Sequence, residues 1–113
     1  MRLRVLVLAA GLLWPVCAFS QNADTVAVSG NELYSRCIHG PSTPQYVACL
    51  AYVEGTVDAL SVDKTICLPE SHVTTGQVKD IIVNYLRDHP QNRHNSASLL
   101  AAIALNEAFP CKK

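Results

Sequence analysis

Apolar positions form one dense block near the start of the chain and then four stretches in which they recur every three or four residues. The block is Val5 to Val16, interrupted only by Gly11 and Pro15. The later spacing is that of amphipathic helices, and no stretch alternates with the period of two that a strand shows. The pattern predicts an all-α fold, a small bundle of about four helices.

Helix boundaries can be read from local chemistry. Ser29 and Glu32 have capping-box spacing, with Val28 and Leu33 placed as a hydrophobic staple, so a short first helix is expected to end near Cys37. His39-Gly40-Pro41-Ser42 is breaker chemistry, after which Ser42 or Thr43 can cap a second helix with Pro44 in its first turn. In that helix Tyr46, Leu50, Val53, Val57 and Leu60 form one apolar stripe, while Ala48, Ala51, Gly55 and Ala59 make the other side small rather than charged. This marks it as the central helix, packed either on two helices of its own chain or on one helix and a second subunit.

Asp63 to Pro69 reads as a connection. Thr74 and Gln77 repeat the capping-box spacing, with Val73 and Val78 as the staple, and open a third helix with Val78, Ile81, Ile82, Tyr85 and Leu86 on its apolar face. Lys79 and Asp80 are assigned to its wet face. His89-Pro90 ends the helix, because a residue before proline avoids helical geometry. After a polar loop, Asn95 or Ser96 can cap a last helix rich in Ala and Leu that runs to Phe109.

The first apolar block is shorter than the ~20 residues a membrane-spanning helix needs, and Arg2 and Arg4 precede it while Ala18-Phe19-Ser20 follows it. Residues 1–20 therefore read as a cleaved secretory signal, with cleavage before Gln21, residues 21–28 as a flexible lead-in and residues 29–113 as the folded domain. A lipidated Cys17 is disfavoured by Trp14-Pro15-Val16, which are not the small residues such a signal places ahead of its cysteine. Removal of residues 1–20 would leave 93 residues with seven Lys/Arg against nine Asp/Glu, a net charge of −2 that argues against nucleic acid as a partner. No stable membrane insertion is expected after cleavage.

Four cysteines remain, Cys37, Cys49, Cys67 and Cys111, an even number in a chain bound for an oxidising compartment. Short loops make successive helices antiparallel. Of the three possible pairings, those directions favour Cys37 with Cys49, clamping the first corner, and Cys67 with Cys111, closing the third and fourth helices together.

Candidate chemistry is sparse. His39, His72, His89 and His94 lack the spacings of a zinc site, and His89 is better placed to meet free carbonyls at a helix C-terminus. No Cys-x-x-Cys is present to support thiol exchange. Glu54 and Asp58 stand four apart on the second helix, where two carboxylates could do acid and base work, but no nucleophile, metal motif or phosphate loop accompanies them. A structural role is expected for the pair, and no catalytic residue, metal or cofactor is assigned.

Several segments carry a family resemblance. They are Cys49-Leu50-Ala51-Tyr52-Val53-Glu54-Gly55 with Asp58-Ala59, Cys67-Leu68-Pro69, Thr74 with Gln77-Val78, Tyr85-Leu86 with His89-Pro90, and Ala108-Phe109-Pro110-Cys111. In this order the chain resembles the Rap/Tai-type immunity proteins of bacterial type VI secretion systems, small periplasmic helical proteins that neutralise peptidoglycan amidase effectors. Ala51 stands where the pattern has glycine, a change that keeps close packing possible. Tyr52, Gly55, Asp58, Pro69, His89 and Pro90 are the motif residues, and they are expected to build the scaffold rather than touch a toxin. The resemblance implies a periplasmic inhibitor, as a homodimer, that covers the active-site cleft of a cell-wall amidase. The competing expectation is a general cell-envelope binding or chaperone protein, also without catalytic activity.

Overall fold

The structure, a computed structural model, describes residues 27–112. The expected signal and the lead-in up to residue 26 lie outside the described residues. Four α-helices follow in order: α1 (Gly30–Cys37), α2 (Pro44–Val62), α3 (Thr75–Asp88) and α4 (Ala97–Ala108), with a single 3-10 turn at Pro90–Asn92 between the last two. The described residues contain no strand, only an isolated antiparallel bridge between Ser29 and Ser96.

The caps form largely where local spacing places them. Thr43 caps α2 by accepting from the Tyr46 amide, with Pro44 at the first position. At α3 both halves of the box are made: the Thr74 hydroxyl accepts from the Gln77 N–H, and the Gln77 side chain accepts from the Thr74 N–H at 2.8 Å. Only half of the first box forms. Ser29 accepts from the Glu32 amide at 3.2 Å, but the Glu32 carboxylate turns to Arg36 one helical turn on.

Most of the burial sits on α3 and α4. Ala97, Leu100, Ala101, Ala104 and Leu105 are buried along one face of α4, and Val78, Ile82 and Leu86 answer them from α3. Their spacing of three and four is the amphipathic repeat, and the alanines let neighbouring backbones come close. Leu33 of α1 is fully buried, and α1 packs against each of the other three helices. Burying a leucine or isoleucine of this kind contributes roughly 1.5–3 kcal/mol.

The expectation that α2 lies centrally needs correction. Of its 19 residues only Cys49 and Val53 are fully buried, and the small side carrying Ala51, Gly55 and Ala59 is exposed. α2 packs on α1, α3 and α4 through one side only. Alanine and glycine leave α2 little apolar area to bury there, whereas α4 brings leucines to its buried face, so α4 takes the interior position.

Both expected disulfides are present. Cys37–Cys49 spans 5.1 Å between Cα atoms and Cys67–Cys111 spans 4.8 Å. The first is buried within the core, and the second ties the segment after α2 to the tail after α4. That tie is reinforced by the Cys67 N–H donating to the Phe109 carbonyl at 3.0 Å and by the Asn106 side chain donating to the Thr65 carbonyl at 2.7 Å. Ile66, within the same segment, is a core residue at 2% exposure.

Candidate binding surfaces

The motif residues divide among several places. His89 caps α3, and the Tyr85 carbonyl accepts both its backbone N–H at 3.0 Å and its Nδ1–H at 2.8 Å, while the two rings stack at 4.2 Å. This satisfies a free carbonyl at the helix end. Pro90 begins the 3-10 turn, and Pro69 is exposed beside the Cys67–Cys111 bridge. The Tyr52 carbonyl accepts from the Thr56 hydroxyl at 2.8 Å on α2. His39 donates from Nδ1 to the Ser35 carbonyl, and His72 and His94 are exposed. No group of three or more metal-ligating side chains gathers among the described residues.

Two surfaces remain as candidates for recognition. The first is the open side of α2. Val47 and Val62 are 62% and 81% exposed near its two ends, and between them Ala51, Gly55 and Ala59 leave the helix backbone uncovered. A Cβ placed on Gly55 would meet nothing within 4 Å. The face is long, shallow and nearly free of bulky side chains, so another helix could approach closely without reshaping it.

The second is a cleft of about 230 Å³ between α2 and α3, roofed by the segment that joins them. Val53, Val57, Val73, Val78 and Leu68 give it apolar walls, and Glu54, Asp58 and Thr75 line it with polar atoms. Thr75 donates its hydroxyl proton to Glu54 Oε1 at 3.1 Å, which holds that carboxylate across the interhelical gap. The ion pairs among the described residues involve Glu32, Asp80 and Asp88, so neither Glu54 nor Asp58 is neutralised by one. The i, i+4 spacing of Glu54 and Asp58 was visible in sequence, but the contributions of Leu68 and Thr75 were not, because the roof segment lacks a periodic signal.

Away from the cleft, Lys79 departs from the wet face assigned to it. Its ammonium lies 2.8 Å from Asp80 Oδ1 and 5.4 Å from the centre of the Tyr46 ring, bridging α3 to α2. The hydrogen bond to Asp80 raises its pKa above the ordinary lysine value against an opposing desolvation. Similarly, the Arg93 guanidinium lies 4.5 Å from the centre of the Tyr34 ring of α1.

A four-helix unit with two disulfides, an open helix face and a carboxylate-lined cleft between α2 and α3 defines a small stapled helical domain suited to surface recognition. Residues 29–111 match the family model described as Rap1a immunity proteins. The chain belongs to that family. A search of curated proteins found no match, and a search of solved structures found none.

Proposed function

We propose that the protein is a periplasmic immunity protein that binds and inhibits a peptidoglycan amidase effector of a type VI secretion system, without catalysis of its own. The family match over residues 29–111 is the observation that carries this reading. The N-terminal block of basic then apolar residues supports export, and the two disulfides suit an oxidising compartment. Among the described residues no helix is long and apolar enough to cross a membrane.

In this reading the protein acts as a homodimer that pairs through the open side of α2 and covers the effector's active-site cleft. The support is the self-complementary character of a face built from Ala51, Gly55 and Ala59 between exposed valines, since a two-fold interface places the same patch on both copies. Sedimentation of the oxidised domain should give a dimer, and Gly55→Arg should give a folded monomer, because the added side chain points into open space within a single copy. A wild-type protein that sediments as a monomer at high concentration removes the dimer from the account.

The inhibitory reading predicts that an amidase effector is encoded beside this gene, and it is tested with that amidase. The purified domain should bind it at one-to-one stoichiometry of chains, abolish its hydrolysis of peptidoglycan, and protect cells into whose periplasm it is delivered. Equal killing with and without the domain would sink the reading. A general envelope chaperone would instead retain several unrelated clients with similar affinity.

A further inference from the structure

We propose that the cleft between α2 and α3 is a socket for one arginine side chain of the protein partner, with Glu54 and Asp58 receiving the guanidinium and the valine walls receiving its aliphatic stem. The inference rests on the immunity reading for the identity of the partner but not for the chemistry of the site. Three observations point to this occupant.

The cleft, about 230 Å³, has the volume for one long side chain and is too small for a folded element. Its lining combines an apolar part, from Val53, Val57, Val73 and Val78, with a polar part from the carboxylates of Glu54 and Asp58. A side chain with an apolar stem and a cationic head matches that division.

Charge complementarity supplies the second argument. Glu54 and Asp58 lie one helical turn apart on the same helix, neighbours at roughly 5–6 Å between Cβ atoms. No ion pair among the described residues neutralises either one, so the lining presents two negative charges to whatever enters. A guanidinium suits this better than an ammonium: its planar fork can address two carboxylates at once, and its weaker hydration lowers the cost of leaving water for apolar walls.

The third argument is preorganisation. Thr75 holds Glu54 across the helix gap at 3.1 Å, and the roof residue Leu68 follows Cys67, whose disulfide and backbone bond to Phe109 anchor the start of the roof. One carboxylate and one end of the roof are thus held before the partner arrives, which reduces the ordering that opposes binding.

The test uses the oxidised mature protein labelled with ¹⁵N and two probes of nearly equal shape, N-acetyl-arginine amide and its neutral counterpart N-acetyl-citrulline amide. The arginine probe should shift the amide signals of Glu54, Val57, Asp58, Leu68 and Val78 saturably, with the citrulline probe at least about tenfold weaker. The pair Glu54→Gln and Asp58→Asn should abolish that difference while leaving the melting temperature and helical circular dichroism in place. Against the cognate amidase the same double variant should bind about tenfold or more weakly, and replacing the responsible arginine of the amidase should cost little further affinity in the double variant. Equal response to both probes, or shifts scattered over the surface, overturns the socket even where wild-type protein binds the amidase tightly. Conversely, a saturable arginine response with no binding to the amidase keeps the socket and rejects the partner. Loss of dimerisation in the double variant would assign the pocket to a second copy of this chain and would also overturn the proposal.

Discussion

Gly30 is the residue whose identity the packing constrains most sharply. It opens α1 at the point where the first helix, the start of α4 and the loop before it converge. A Cβ placed there would come within 2.5 Å of a Leu100 methyl and 2.9 Å of the Arg93 carbonyl oxygen. The methyl can rotate away, but the carbonyl is fixed, since it also accepts from the Asn31 amide at 2.8 Å. Alanine would be favoured on helix propensity by up to about 1 kcal/mol, yet overpacking of a fixed site costs about 1–3 kcal/mol. Gly30→Ala is therefore expected to destabilise, seen as a lower urea midpoint with an unchanged slope. A higher midpoint would mean that the α1 to α4 junction yields more easily than its hydrogen bonds indicate.

At the scale of the element, α2 ends by a device that is partly mismatched to its residue. Asp63 is the C-cap, Lys64 follows at a φ of 54°, and the Thr65 amide donates back to the Leu60 carbonyl at 2.9 Å while the Lys64 amide donates to Ser61. This is the Schellman arrangement, in which glycine is favoured at the left-handed position because it has no Cβ to clash. Lys64→Gly should stabilise the oxidised domain by about 0.5–1 kcal/mol, partly offset by the greater freedom of glycine in the unfolded chain. Thermal unfolding of the two proteins at the same pH checks this, and an unchanged or lower midpoint would show that the Lys64 side chain compensates its backbone.

The helix ends also show where sequence reading stops. Thr43, Thr74 and Gln77 act through bonds three residues away, so their roles are contained in a four-residue window and were readable. Ser96 occupies the cap position of α4 without capping it: its hydroxyl meets the Ser98 hydroxyl at 2.8 Å, and the first amide of the helix, that of Ala97, donates to the Val28 carbonyl, 69 residues earlier in the chain, at 2.8 Å. No local window contains that partner. The same limit explains α2, whose stripe was correct at Val53, Val57 and Leu60 but not as a sign of central position. Periodicity identifies which side faces inward and says nothing of how much covers the outside. Ile66 was missed for a related reason, being a single buried residue in a connection with no repeat around it.

For the whole molecule, the two disulfides hold different things. Loop closure gives about 3 kcal/mol for the 12-residue separation of Cys37–Cys49 and about 4 kcal/mol for the 44-residue separation of Cys67–Cys111. The difference in stability is modest, but the difference in place is not. Cys37 and Cys49 are buried between α1 and α2, whereas Cys67 is exposed and precedes the roof of the cleft. Graded reduction followed by alkylation should accordingly label Cys67 and Cys111 before Cys37 and Cys49, because a thiolate must reach the bond it attacks. Replacing Cys67 and Cys111 together by alanine should then loosen the segment around Cys67, raising amide hydrogen exchange at positions 66 and 67, whose N–H groups donate to Leu60 and Phe109, while α1 and the first half of α2 stay protected. Replacing Cys37 and Cys49 should lower global stability and speed exchange throughout the α1 corner, with the roof retained for as long as the domain is folded. If these two amides exchange equally slowly after loss of Cys67–Cys111, then the Asn106 and Phe109 hydrogen bonds and the burial of Ile66 suffice to hold the start of the segment. The disulfide would in that case serve only to limit the unfolded chain.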